Sequence, residues 1–197
     1  MKRLAVFLAA SALVVSVSAA NAASNWIGLA GGAGIPTGDY HNAAATGWHL
    51  AASGVHMIDT QWGVGADLGY HAWGGSTQAN AAAQTAFGPG SEFNWSAFQL
   101  TAQGLMAFPT QGAMKPYVTA GLGLYDVSAK LKSPSGNADT SKNEFGFNFG
   151  AGMDLGSSKN MKWGVQGAYH IIPASNDLGT DLNFFSIGAN LMWGAGK

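Results

Sequence analysis

Three histidines in the sequence are placed where they could do chemistry. His49, His71 and His170 each fall on the polar positions of a segment in which polar and apolar residues alternate. Neutral imidazoles gathered in this way could bind a transition metal or act as a pH-dependent gate. The other interpretation is a half-hydrated polar layer that needs no ligand. We expect His49 and His71 to lie close together and His170 to lie across from them, out of reach.

Little else supports a metal or cofactor site. The sequence has no HxH or HExxH spacing, and no carboxylate follows the histidines at ligand distance. There are no cysteines, which excludes a thiolate metal site, a CxxC redox site and a disulfide scaffold. We therefore predict no cofactor, and the three histidines remain the only metal candidates.

A nucleophilic site could be built only around His170. Ser175 and Asp177 follow it with the residue types of a hydrolase triad. A serine nucleophile needs its base within about 3 Å and a third group that orients the base. Pro173 interrupts the segment between His170 and Ser175, so the two side chains need not lie side by side. We predict no catalytic residues and no enzyme, with a lipid-modifying hydrolase as a residual alternative.

The elements that carry these residues show a period of two. Residues 144–155 are the clearest case, because every second position is apolar and the intervening ones are Glu, Gly, Asn or Asp. A helix would not sort residues in this way, whereas a strand does. The same alternation predicts eight strands, over residues 27–35, 48–53, 61–71, 98–108, 118–125, 144–155, 161–170 and 185–193.

Composition excludes most soluble classes. Only 10% of the 197 residues are charged, against roughly 25% in ordinary soluble domains. Disorder is also excluded, because 47% of the residues are apolar and 11% aromatic. The formal net charge is −1 without a basic run, so nucleic acid is not an expected partner.

The first residues resemble an export signal. Lys2 and Arg3 precede an apolar run over residues 4–20, and Ala20-Asn21-Ala22 is a small-x-small cleavage pattern. We predict a signal peptide over residues 1–22 and a mature domain over 23–197. An N-terminal membrane anchor is the alternative, although the run is short for a span. After residue 22, no apolar run is long enough for a transmembrane helix.

An exported chain with little charge and no spanning helix fits a membrane β-barrel. The apolar faces of all eight strands lack Asp, Glu, Lys and Arg, and a charge at the lipid midplane would cost about 2–4 kcal/mol. A soluble barrel or sandwich would instead need charges on one strand face. We predict an all-β fold, an eight-stranded antiparallel up-and-down transmembrane β-barrel.

Loop lengths predict the orientation of this barrel. The connections over residues 58–60, 109–113 and 156–160 are short and predicted to face the periplasm, whereas those over 36–46, 74–92, 128–142 and 173–181 are longer and predicted to face outside. Aromatic residues at the strand ends predict two lipid-facing belts. The periplasmic belt comprises Trp62, Phe108, Trp163 and Trp193, and the outer belt comprises Trp48, Tyr70, Phe98, Phe145, Tyr169 and Phe185.

The opposite strand faces predict the lining of the lumen. Their larger polar members are Asp67, Gln99, Gln103, Glu144, Asn148, Asp154, Lys162 and Gln166. A charge in such a place needs a partner, and we expect Lys162 to pair with Asp154 across neighbouring strands. Many other inward positions are glycine. Glycines could relieve strain where a narrow barrel curves, or leave a passage for a small solute.

Three stretches carry a resemblance to a known family: residues 26–32, 115–125 and 147–154. With them, the mature chain resembles the small outer-membrane barrels of Gram-negative bacteria, the OmpA-type and opacity-type, porin-like proteins. The resemblance implies an outer-membrane location and assembly by the barrel-insertion machinery. In that family the last strand usually ends on an aromatic residue, whereas here Gly194-Ala195-Gly196-Lys197 follows Trp193.

The expected function is a structural or surface-interaction role carried by the long external loops. Expected partners are outer-membrane lipids, lipopolysaccharide and an external ligand or surface. Lys130, Lys132 and Lys142 flank the third loop and could contact lipopolysaccharide phosphates. A narrow porin-like channel for small solutes is the alternative, and a lipid A-modifying enzyme is a weaker one.

Overall fold

Eight long strands form the body of the protein. The computed structural model describes residues 24–158, 160–173 and 181–195, so the predicted signal peptide over residues 1–22 lies outside the described residues. The strands are β1 (Ser24–Pro36), β2 (Gly47–Met57), β3 (Trp62–Gly74), β4 (Glu92–Ala107), β5 (Lys115–Ser133), β6 (Gly136–Ser157), β7 (Met161–Ile171) and β8 (Phe184–Gly194).

The strands close into a barrel. Each strand pairs antiparallel with the next along the chain, and β8 pairs antiparallel with β1 from Trp26↔Gly194 to Pro36↔Phe184. Closure leaves no free sheet edge where this pairing is continuous. The prediction of an eight-stranded antiparallel up-and-down barrel is confirmed.

The alternation sorts side chains as predicted. Large apolar side chains on the outward face are about half exposed, such as Leu29 at 50% and Leu122 at 51%. Inward side chains, such as Thr101 on β4 and Asn148 on β6, are buried. Among the described residues, no helix is long and apolar enough to cross a membrane.

Two of the predicted long loops contain regular secondary structure instead. Residues 128–142 were expected to form a loop, but β5 and β6 continue as a hairpin as far as Ser133 and Gly136. Gly136 has a φ of 140°, which suits glycine at the turn. Lys132 also bonds Glu92 of β4 at 3.1 Å, so three strands extend together. The polar composition of both faces concealed this extension.

The second long connection contains a helix. After α1 (Tyr40–Ala43) in the first connection, α2 (Thr77–Phe87) occupies the second. The Ser76 hydroxyl caps α2 by accepting a hydrogen bond from the Ala79 N–H at 3.0 Å, and Gly88 ends the helix at a φ of 98°. The alanines in the predicted long connection over residues 74–92 are strong helix formers.

Candidate functional site

The lumen at the end with the long connections is filled by a cluster that we call the cap. Its members are Tyr40, Ala44, Trp73, Ala97, Tyr125, Val127, Ile172, Leu182 and Phe184. The Tyr40 ring, only 1% exposed, meets Trp73 edge to face at 5.5 Å between centroids. Trp73 in turn meets Phe184 at 4.8 Å. Together α1 and the ends of β3, β5 and β8 therefore pack one continuous apolar layer across the barrel.

Inward glycines make room for the rings of the cap. A Cβ on Gly34 would lie 2.9 Å from the Trp73 Nε1, and one on Gly146 would lie 2.9 Å from the Tyr125 ring. Trp73 Nε1 also donates a hydrogen bond to the Gly34 carbonyl oxygen at 3.1 Å. These glycines thus allow close packing of aromatic rings, a role that neither interpretation of the sequence included.

The three histidines form a layer directly beneath the cap. The rings of His49 and His71 stack with centroids 5.6 Å apart, and those of His71 and His170 meet at 5.3 Å. The expectation that His170 lies out of reach is wrong, because opposite walls of an eight-stranded barrel are close enough for side chains to meet. His170 also stacks on Phe184 at 4.3 Å, which joins the layer to the cap.

Both ring nitrogens of His170 are already engaged. Nδ1 lies 3.1 Å from the Tyr125 hydroxyl and Nε2 lies 3.0 Å from the Ser186 hydroxyl. Ser186 donates to the Ala168 carbonyl oxygen at 3.4 Å, and Asn148 donates to Tyr125 at 3.4 Å. Because the Ser186 hydroxyl proton is used on Ala168, Ser186 accepts a hydrogen bond from Nε2–H of His170. Tyr125 accepts from Asn148 and donates its own hydroxyl proton to Nδ1 of His170.

This hydrogen-bond chain gives His170 no free lone pair with which to accept a proton from Ser186. The arrangement is therefore that of a satisfied buried polar chain and not of an activated nucleophile. Ser175 and Asp177, the other residues of the hydrolase alternative, lie outside the described residues.

The three histidines do not form a set of metal ligands in the described part of the chain. In the described part of the chain, no group of three or more His, Cys, Asp or Glu side chains could hold a metal ion. His170 uses its nitrogens within the protein, and the rings of His49 and His71 stack face to face at an interplanar angle of 21°.

Below the histidine layer lies a cavity of about 190 Å³. Thr60 and Lys115 line it at the end with the short turns, and His49, His71 and His170 line it at its inner end. Among the described residues that line it, none belongs to the cap. The cavity therefore reaches the short-turn end of the barrel and ends blindly beneath the cap.

A polar network lines the lower lumen. Gln103 donates to Asp67 at 3.0 Å, and Asn190 donates to both Tyr117 at 2.6 Å and Gln166 at 3.1 Å. The first bond joins β3 and β4, and the second group joins β5, β7 and β8 across the lumen.

The expected ion pair closes one side of the cavity near its mouth. Lys162 Nζ lies 3.8 Å from Asp154 Oδ2, and the same ammonium group lies 4.0 Å from the centroid of the Trp26 ring. A cation above an indole face is attracted to the ring. Lys162 is thereby fixed at the periphery of the lumen and leaves the centre of the cavity open.

The predicted lumen residues divide between these regions. Seven of them line the cavity: Asp67, Gln99, Gln103, Asn148, Asp154, Lys162 and Gln166. Glu144 lies higher on β6, half-buried opposite Tyr125, and does not border the cavity. Tyr40, Trp73 and Phe184 of the cap were not among the predicted residues. Two of them could have been predicted from the alternation, because Trp73 shares the inward parity of His71 and Phe184 shares that of Ser186.

The predicted belt residues lie on the outward face of the barrel. Seven are exposed: Trp48, Trp62, Tyr70, Phe108, Phe145, Trp163 and Tyr169. Phe98, Phe185 and Trp193 are half-buried. Phe185 lies over Gly167, whose Cβ would come within 2.7 Å of the ring. The role of the ten belt residues at lipid interfaces stays a prediction.

Comparisons with known proteins agree with this architecture. The family model described as outer membrane protein beta-barrel domain matches residues 5–193. No curated protein sequence matches the chain significantly.

Among solved structures, Neisserial surface protein A is similar at 16% identity and a TM-score of 0.58, covering 88% of this chain and 99% of that one. A major outer membrane protein from Thermus thermophilus is similar at 10% identity and a TM-score of 0.59, covering 89% and 100%. The N-terminal barrel domain of Pseudomonas aeruginosa OprF is similar at 12% identity and a TM-score of 0.52, covering 88% and 97%. These identities are low, so the likeness concerns the fold.

Proposed function

The chain belongs to the outer membrane protein beta-barrel family, and from that premise we propose that it is a closed barrel with a structural and surface-interaction role. Its location is the bacterial outer membrane. The short turns then face the periplasm and the long connections face outside. The cap is the observation that carries the proposal, because buried aromatic and aliphatic side chains fill the lumen on the outer side.

The external elements supply the surface. The β5–β6 hairpin and the two helices give these connections regular secondary structure. Lys130 lies opposite Asp139 on this hairpin, and Lys132 is held by Glu92. We propose lipopolysaccharide and outer-membrane lipids as the partners of this surface and of the barrel wall, and the barrel-insertion machinery as the partner in assembly. Lysines can bind lipopolysaccharide phosphates as point charges.

Ionic conductance in a planar bilayer tests the closed barrel. The refolded protein is first shown to be folded by its different migration on a denaturing gel with and without boiling. We expect it to give no conductance steps, because the cap blocks the lumen. A Tyr40→Ala/Trp73→Ala double variant, which removes two rings of the cap, is expected to conduct.

The matched control is the Trp48→Ala/Tyr70→Ala double variant. These two rings lie on β2 and β3 with their centroids 5.7 Å apart, but they face outward. The control should stay silent. Reproducible steps from the unmodified protein would overturn the proposal.

The porin-like channel is the second candidate, and the cavity is the observation that favours it. A hollow of about 190 Å³ already occupies the periplasmic half of the lumen. The cap and the histidine layer then separate it from the exterior. Conductance by the unmodified protein would establish this alternative.

A further inference from the structure

The outward wall of the barrel has a groove across β6, β7 and β8. At its centre are Ala151 and Gly167, which lie opposite each other in the register of β6 and β7. Gly150 and Gly152 also border the groove, although their positions point inward, so strand backbone forms part of its floor. Two neighbouring strands thus carry outward side chains that are too small to cover the wall.

Larger apolar side chains surround this low centre. Phe149 borders the groove on β6 at 56% exposure, Ile187 on β8 at 48% and Val165 on β7 at 47%. The Phe185 ring leans across from β8 and forms one wall, since a Cβ on Gly167 would lie 2.7 Å from it. The groove has a volume of about 590 Å³, which lies within the roughly 300–1,000 Å³ of sites for organic ligands.

A pair of hydroxyl groups lies at the outer end of the groove. Tyr169 borders the groove, and its hydroxyl lies 3.2 Å from the hydroxyl of Thr37, which follows the last residue of β1. One hydrogen bond between two hydroxyls uses only one of their two protons, so the pair can also donate to an ester or amide carbonyl. The groove is therefore polar at its outer end and apolar below it, which is the order of groups along a lipid.

The surroundings of the groove favour an acyl chain as its occupant. The outward face of an outer-membrane barrel contacts hydrocarbon, which holds no water to fill a gap. Apolar atoms beside a gap lose van der Waals contacts, and such packing contributes to association within lipid. The groove is continuous with the lipid-facing wall, and a flexible acyl chain can follow its uneven floor.

The depth of the groove identifies the leaflet. On β7, Gly167 lies between Trp163 of the predicted periplasmic belt and Tyr169 of the predicted outer belt, and it is closer to Tyr169. At about 3.3 Å per residue, the two positions from Gly167 to Tyr169 span roughly 7 Å. The centre of the groove is therefore in the outer half of the wall, where the lipids of the outer leaflet reach it.

We propose that this groove binds an acyl chain of lipid A, the membrane anchor of lipopolysaccharide. The inference rests on the proposed function, because that function makes lipopolysaccharide a partner of the wall and places the long connections outside. The chain lies over Ala151 and Gly167 with its methyl end toward Val165. Its linkage carbonyl accepts a hydrogen bond from the hydroxyl pair of Tyr169 and Thr37.

Intermolecular NOEs in nanodiscs test this site. Deuterated protein with protonated Ile and Leu methyl groups is placed in nanodiscs of phospholipid with deuterated chains and a minor share of protonated lipid A. We expect NOEs from the lipid A chains to be about threefold stronger at Ile187 than at Leu50, because the additional contacts in the groove prolong their stay. Leu50 is the internal control, since it is outward and 56% exposed on β2, opposite Tyr70.

A filling variant separates the groove from general lipid contact. Ala151→Trp places a large ring over the centre of the groove and should lower the NOE at Ile187 to the level at Leu50. The matched control, Ala52→Trp, makes the same change at an exposed outward position of β2 that pairs with Leu29 and Leu68. It should leave the NOE at Ile187 unchanged. Both variants are first checked for folding by gel migration with and without boiling.

Three outcomes would count against the site. Equal NOEs at Ile187 and Leu50 in the unmodified protein would overturn the proposal. The same enrichment with protonated phospholipid and deuterated lipid A would overturn the choice of lipid A and assign the groove to phospholipid. An enrichment that persists in folded Ala151→Trp protein would contradict its assignment to the groove. The NOEs do not depend on conductance, so the failure of this proposal and the failure of the closed-barrel proposal are distinguishable.

Discussion

The two halves of the lumen share eight strands and one alternation, yet they are filled in opposite ways. The outer half holds fully buried rings and aliphatic side chains, such as Tyr125 at 0% and Phe184 at 1% exposure. The periplasmic half holds amides, carboxylates and lysines around a cavity of about 190 Å³. An inward position is therefore not polar by necessity. What fills a level of the barrel depends on which residues several strands bring to that level together.

The largest expected effect comes from removing a ring of the cap. Phe184→Ala should lower the free energy of unfolding by about 3–5 kcal/mol, because a fully buried aromatic side chain leaves a cavity that its neighbours cannot close. Urea-induced unfolding in detergent, followed by tryptophan fluorescence, measures the change. Leu105→Ala is the matched control in the periplasmic half, where the side chain is half-buried and borders existing space. It should cost less than about 2 kcal/mol. Equal losses would remove the difference in packing between the two halves.

An intermediate effect is expected from the ion pair of the periplasmic half. A double-mutant cycle with Lys162→Met and Asp154→Asn should give a coupling energy of about 0.5–3 kcal/mol, as for other residues in contact. The side chains are 24% and 11% exposed, so salt should reduce the coupling only in part. Unfolding midpoints at low and high salt measure it. Strictly additive single effects would show that the pair does not stabilise this half.

The smallest effect is expected at a periplasmic turn outside both halves. The backbone N–H groups of Trp62 and Gln61 donate to the Asp59 carboxylate, each at 2.7 Å, and hold the pKa of Asp59 below its usual range. A carboxyl with a lowered folded pKa stabilises the protein above its unfolded pKa of about 3.9, and loses this contribution as the pH falls through the folded value.

Asp59→Asn should therefore flatten the pH dependence of the urea midpoint between neutral pH and about pH 3. The amide oxygen of the variant can still accept the two hydrogen bonds. The urea midpoints of the variant and the unmodified protein should therefore differ little at the acidic end of the pH range. The control is Asp139→Asn on the external hairpin. A pH profile that is identical in the Asp59→Asn and unmodified proteins would exclude this contribution.

Much of the fold was predictable because strand alternation is a local property. Residues 144–155 and 161–170 were placed on strands, with the inward side of each residue assigned, and the structure has them on β6 and β7. The errors fell on segments whose structure depends on partners. Residues 128–142 are mostly polar and resemble a loop, but the pairing of β5 with β6, the pairing of residues 128–132 with β4 and the Lys132–Glu92 contact make them part of the sheet.

For the histidine layer, the sequence predicted which residues point inward but not how they are arranged. Inward parity identified His49, His71 and His170, but their separation depends on the diameter of the closed ring and the stagger of its strands. The sequence distances are no guide, since Tyr117 and Asn190 are 73 positions apart and share a hydrogen bond. Tyr40 is a further case, because it comes from a connection and becomes part of the cap only when α1 folds over the lumen.

The sequence by itself determined the class of protein, the number of strands and the face on which each side chain lies. These properties follow from a period of two, a low charge content and the requirement that backbone groups be paired within a membrane. Only the tertiary structure decided that a buried apolar cluster fills one end of the lumen and that the three histidines meet beneath it. Such contacts join opposite walls of the barrel, and they exist only once eight strands have closed with one register.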